Sequence, residues 1–157
     1  RIDRDEQSEI WGAFRMGRRA RAGQVSLSAD LPDRFRFAGS HDGYHSRAGR
    51  PVHRRTMECR IGHTWQVTDD IIGRGSHLLE SFLHFHPSFR LEKEGDGWIA
   101  ACQESALRFR ITATGGAAER EPSTFCPRFG VRHCNWMLVL RSEAVLPARL
   151  TYTIEKL

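Results

Sequence analysis

A chain of 157 residues and 18.0 kDa has room for one substantial core, and a hydrophobic share of 39% with nine Phe and four Trp excludes a wholly disordered polymer. The formal charge of +5 (pI near 9.5) is carried almost wholly by arginine spread along the chain, which suits an anionic partner or, more plainly, solvated strand faces. No apolar run approaches the roughly 20 residues that cross a bilayer, so no membrane partner is expected.

The chain opens on a charged stretch around an isolated Trp11, so residues 1–16 read as a connecting segment or edge strand. A strand near Arg18 to Leu27 follows. Asp30-Leu31-Pro32-Asp33 reads as a turn, because proline fixes φ and Asp supports reversal. Arg34 to Phe37 alternates as a half-buried strand, and a Gly- and His-rich loop runs from Ser40 to Val52. The stretch from His53 to Pro87 is the clearest. Met57, Cys59 and Ile61 alternate, the chain reverses at Gly62, and Trp65, Val67 and Asp69 repeat the pattern. Gly73-Arg74-Gly75 turns the chain again. Leu78, Glu80, Phe82, His84 and His86 then share one parity, with Leu79, Leu83 and Phe85 on the other, so this strand is expected to be covered on both faces.

Beyond Pro87, Gly95-Asp96-Gly97 marks a hairpin between strands at Phe89 to Lys93 and Trp98 to Cys102. Leu107 to Thr114 alternates apolar with charged, while Gly115 to Arg132, with Gly-Gly and two prolines, reads as irregular. Trp136 to Leu140 and Leu150 to Ile154 close the chain. The sum is roughly nine or ten short strands without a helix, an all-β antiparallel multi-stranded β-sandwich over residues 1–157. Trp65, Val67, Phe82, Leu107, Phe109 and Ile111 are expected among the most buried residues.

Chemistry-bearing residues cluster around the eight histidines. His84-Phe85-His86 is half of a metal site, with His77 and Asp69 imaginable as partners; the alternative is a core-facing His84 bonded to backbone. His41-Asp42-Gly43-Tyr44 places an imidazole, a carboxylate and a phenol in one loop, types suited to acid–base work. His53-Arg54-Arg55 offers a carboxylate or sulfate clamp, although Arg54 and Arg55 face opposite sides of an extended strand. Cys59, Cys102, Cys126 and Cys134 form no C-x-x-C pair and read as buried free thiols, with a Cys126–Cys134 bridge left open. No complete catalytic set is present.

The ordered set HDGY, GRPVHRR, W-x-V-x-D-x-I-x-G-x-G-x-H-x-x-E and FLHFHP resembles the C-terminal β-sandwich of heparinase II/III-like polysaccharide lyases. The opening DRDEQSEIWGAFRMGRRAR and the closing PRFGVRHCNWMLVLRSEAVLPARLTYTI look like flanking parts of the same domain, so the resemblance covers essentially the whole chain. It implies an enzyme in which an α/α toroid precedes the sandwich and uronic-acid polysaccharides are cleaved by β-elimination in the cleft between them. It also implies that the catalytic groups and the ligands of any structural metal, such as zinc, lie upstream of residue 1, so no cofactor, metal or catalytic residue is expected in this chain.

On this reading the chain supports and flanks a substrate cleft. His41, Tyr44, His53, Arg54 and Arg55 are the candidate contacts to an acidic polysaccharide, and nucleic acid is not an expected partner. The alternative is a stand-alone carbohydrate-binding or interaction module. Beginning at Arg1, the chain reads as a processed product or a piece of a longer one, with missing strands that favour association with an upstream domain, a second chain or another copy. The resemblance leans towards a bacterial periplasmic or secreted protein, and the unpaired-looking cysteines towards a reducing compartment.

Overall fold

The computed structural model describes the backbone of residues 1–157 and the side chains of all but Asp30 and Leu31. A small hairpin, β1 (Ile10–Gly12) and β2 (Arg15–Met16), precedes β3 (Ala22–Leu31), β4 (Arg34–His41), β5 (Val52–Arg60) and β6 (Thr64–Ile72). The chain continues through β7 (Ser76–His84), β8 (Phe89–Glu94), β9 (Gly97–Cys102) and β10 (Arg108–Thr114). It ends with β11 (Ala117–Phe125), β12 (His133–Val145) and β13 (Ala148–Lys156). Every pairing is antiparallel. Eight strands make one sheet in the order β3-β4-β5-β6-β13-β10-β9-β8, and β11-β12-β7 make a second.

The two sheets are the layers of a β-sandwich, as the period-two pattern predicts. Ile111 on β10, Leu138 and Leu140 on β12, and Leu150 and Tyr152 on β13 are all but inaccessible and meet in one core. Each apolar side chain of this kind contributes about 1.5–3 kcal/mol on full burial. The Tyr152 hydroxyl reaches from the large sheet to two carbonyls of the small one, 3.1 Å from Ser81 and 3.2 Å from Leu138. Burial pushes its pKa well above the usual phenol range.

The small sheet covers only part of the large one, and this corrects several sequence expectations. Of the six residues expected to be most buried, Ile111 is; Trp65, Val67, Phe82 and Phe109 are half-buried, and Leu107 is 40% exposed. The strand from Ser76 to His84 is not covered on both faces. It is an edge of the small sheet, with His77, Leu79 and Ser81 inward and Leu78, Glu80 and Phe82 half-buried. Residues 1–3 run along that edge. Ile2, 2% exposed, bridges Leu79, and the Arg1 guanidinium lies 5.1 Å from the Phe82 ring centre.

Residues 115–132 are not irregular throughout, since β11 pairs with β12 for its whole length. Pro122 is tolerated there because β11 is an edge strand, where a missing N–H need cost no ladder bond. The strand expected from Arg18 begins later, at Ala22, and the reversal falls on Pro32-Asp33. Part of that turn expectation, the side chains of Asp30 and Leu31, lies outside the described residues.

Candidate functional site

Beyond the edge of β7, the inner face of β4, β5 and β6 stands open and forms the floor of a cleft of about 570 Å³. Strand register sets its polar centre. His41 on β4 is directly opposite His53 on β5, and Arg55 on β5 is directly opposite Asp69 on β6. Cross-strand neighbours on one face lie close enough to bond through their side chains. His53 Nε2 is 2.7 Å from Asp69 Oδ1, and Arg55 donates twice to the same carboxylate, at 2.6 and 2.8 Å. From the facing sheet, Ser81 Oγ–H donates to Asp69 Oδ2 at 2.6 Å.

The proton positions in this row follow from its two ends. The Gly43 N–H donates to His41 Nδ1 at 3.2 Å, so that nitrogen carries no proton and Nε2 does. His41 Nε2–H therefore donates to His53 Nδ1 at 2.9 Å, leaving His53 Nε2–H for Asp69. Both rings are neutral, each with a single tautomer. Burial, followed by the neighbouring His53, lowers the His41 pKa to about 4. Burial alone would raise the Asp69 carboxyl, but the bonds from His53 and Arg55 outweigh it and hold it well below the usual carboxylate range. Hydrogen bonding to Asp69 raises the Arg55 guanidinium despite desolvation.

Four of the five residues singled out from sequence meet here. His41, Tyr44, His53 and Arg55 all line the cleft, and the Tyr44 ring lies 5.6 Å from that of His41. Burial pushes the Tyr44 phenol up to about 12, so it serves as a neutral group. Arg54 does not join them. It projects from the opposite face into a separate shallow depression with Asp70 and Arg149, and its buried Nε has no partner among the described residues.

The histidine pairings proposed from sequence are corrected. His77 bonds Asp3 at 2.8 Å and the Arg74 carbonyl at 3.1 Å, not Asp69, whose oxygens are already taken. His84 is exposed rather than core-facing; its Nδ1 lies 3.2 Å from Ser123 Oγ. His86 bonds Ser88 at 2.8 Å. Among the described residues no three His, Cys, Asp or Glu side chains are arranged to hold a metal ion, and both nitrogens of His41 and of His53 are consumed within the row. The residues present do not fit a metal. All four cysteines are free thiols, and only Cys59 is buried, against the expectation of four buried ones.

Asp69, named from sequence only as an imaginable metal partner, is instead the centre of the cleft's hydrogen-bond row. Its signal was present: an acid in the middle of a strand, on the parity of buried Ile71, with no basic residue on its own strand to compensate it. Such an acid requires donors from neighbouring strands.

A family model, "Heparinase II/III-like, C-terminal", matches residues 1–152. The chain belongs to this family. The fold agrees. A heparinase III described as the BT4657 gene product superposes with a TM-score of 0.70 at 10% identity, over 87% of this chain and 21% of that one. The heparan sulfate lyase HepC from Pedobacter heparinus gives 0.70 at 10% identity, over 86% and 21%. A further heparinase III structure gives 0.68 at 9%, over 90% and 22%. This heparinase II/III-like domain thus spans about a fifth of the length of the solved structures it matches. A sequence search of the curated proteins found no match.

Proposed function

We propose that this heparinase II/III-like C-terminal domain works as part of a polysaccharide lyase that cleaves uronic-acid polysaccharides by β-elimination, with the open face of β4–β6 flanking the substrate. The observation that carries the reading is the fixed guanidinium of Arg55. Asp69 holds its Nε and one Nη, and Ser81 stands behind, leaving Nη1 without a partner among the described residues and able to meet a carboxylate or sulfate in the cleft. A cation whose orientation is set before the ligand arrives loses less freedom on binding. Arg1 and His84 line the same cleft.

The domain's own part is to bind and orient. β-Elimination needs a base for the C5 proton, a donor to the departing O4 and a group to neutralise the carboxylate, all converging on one sugar. The His41 and His53 nitrogens are all engaged, and Tyr44 is buried. On this reading the proton-transfer groups come from another part of the complete protein, an upstream toroid.

Incubating the complete protein with heparan sulfate or alginate should yield an unsaturated, ultraviolet-absorbing product. Arg55→Lys, which keeps the charge but loses the planar fork, should raise KM. The 157-residue chain alone should yield no product. Tight binding of uronic polysaccharide by the complete protein without any product would overturn the lyase reading in favour of a carbohydrate-binding module.

A further inference from the structure

The β1–β2 hairpin carries the most exposed aromatic side chains near the cleft, Trp11 at 67% and Phe14 at 98%, and its indole is held in place. Trp11 Nε1–H donates to Glu9 Oε1 at 3.0 Å, while Glu9 Oε2 accepts the Arg18 N–H at 3.3 Å. Those bonds, the indole's first, keep the Glu9 carboxyl below its ordinary value. Backbone bonds between Glu9 and Gly17 and between Glu9 and Arg18, each 2.8 Å, close the hairpin base. One side of the indole rests on Gly17, where a Cβ would come within 2.7 Å of the ring. Only glycine lets the ring lie there, and the rest of the indole is turned to solvent.

The hairpin is also tied to the cleft. Gln7, three residues before it, lines the cleft wall, and the Gln7 carbonyl packs so tightly on Gly43 that a Cβ there would sit 2.4 Å away. The Arg18 guanidinium donates to the Gly43 carbonyl at 2.9 Å and to Ser46 at 3.1 Å, clamping the hairpin to the loop that carries Tyr44. Arg15 and Arg19 flank the aromatics and are exposed.

We infer that this hairpin is a stacking subsite for a pyranose ring of an acidic saccharide, beyond the part of the cleft wall that Gln7 forms. An aromatic face is electron-rich and attracts the weakly positive C–H groups on the flat side of a sugar. A ring already fixed gives that contact without losing side-chain freedom. Arginines beside it match the negative charge of the saccharide, which selects this occupant over a neutral one. The inference extends the cleft reading above and rests on it for the direction of the chain, but not for any chemistry.

The test uses the complete protein with Trp11→Ala and Trp11→Phe, their folding checked by circular dichroism, against size-fractionated heparan sulfate oligosaccharides. Trp11→Ala should weaken binding of the longer oligosaccharides on the order of tenfold and leave binding of the shortest ones unchanged, with Trp11→Phe largely restoring affinity. Equal affinity in Trp11→Ala and the parent, or equal loss at every length, would overturn the subsite. A change in oligomeric state without a change in affinity would instead make the hairpin a self-contact. Trp11-dependent binding in a protein that forms no unsaturated product would keep the subsite and remove the lyase reading. Unsaturated product formed with a KM for the longer oligosaccharides that is indifferent to Trp11 would do the reverse.

Discussion

Asp69→Asn is the perturbation that tests the cleft network most directly, since it keeps the side chain's shape while removing its charge. Asp69 is 3% exposed and accepts from His53, twice from Arg55 and from Ser81. An asparagine amide must point a donor at one of those donors, and Arg55 loses its counter-charge. Removing one partner of a buried pair costs about 3–5 kcal/mol. The Arg55 side chain is 39% exposed and can turn towards water, so the lower end, about 3 kcal/mol, is expected. For a domain of this size that corresponds to a Tm lower by roughly 6–12 °C, read by circular dichroism at pH 7. The folded-state pKa is depressed, so the carboxylate's contribution is present above the unfolded value near 3.9 and fades as pH falls through the folded one. The gap between parent and variant should therefore persist from pH 7 to about 4 and close only in stronger acid. A variant within about 1 kcal/mol of the parent at pH 7 would refute the claim that this carboxylate ties β5, β6 and β7 together.

Tyr152→Phe removes the buried hydroxyl between the sheets and should cost about 1–2 kcal/mol, leaving two carbonyls short of a donor; an unchanged denaturation midpoint would contradict that role. His77 donates from both ring nitrogens, to Asp3 and to the Arg74 carbonyl, so it is an imidazolium, and its pKa is raised, chiefly by Asp3. Its contribution is complete below about 6.5 and lost as pH rises through the folded value. Hydrogen exchange at the Glu80 amide, which pairs with the Arg1 carbonyl, should then quicken with pH beyond its intrinsic rate, and Asp3→Asn should remove that excess.

The strands that could be read in the sequence were those whose alternation comes from burial of one face. Met57 to Asp69 and Leu107 to Thr114 are of this kind, and the structure places them in antiparallel strands, with Ile61 in the turn and Leu107 just ahead of β10. Depth of burial was less legible, because period two identifies a face without saying how much of it the second sheet covers. Trp65 and Val67 point inward and still remain half-exposed for that reason. His41 and His53 announced a polar site, but their partner lay in register rather than in sequence. Twelve positions separate the two histidines and sixteen separate His53 from Asp69. Only the β4–β5–β6 pairing makes them neighbours, so no local motif spells out the row. The hairpin at Ile10 to Met16 was hidden because its aromatics cover no core and give no burial pattern.

Pro122, which disguised β11 as a loop, has a second effect on the finished molecule. β11 is an outer strand nine residues long, and an uninterrupted row of free N–H and C=O groups of that length would template pairing with another β-chain. A proline in the middle of it breaks the row of donors. Two copies meeting along this edge would lose a ladder bond at the proline. The residue that reads as a defect in a strand thus keeps this margin of the sandwich from growing into a larger sheet, and Pro122→Thr would be the change most apt to promote aggregation along it.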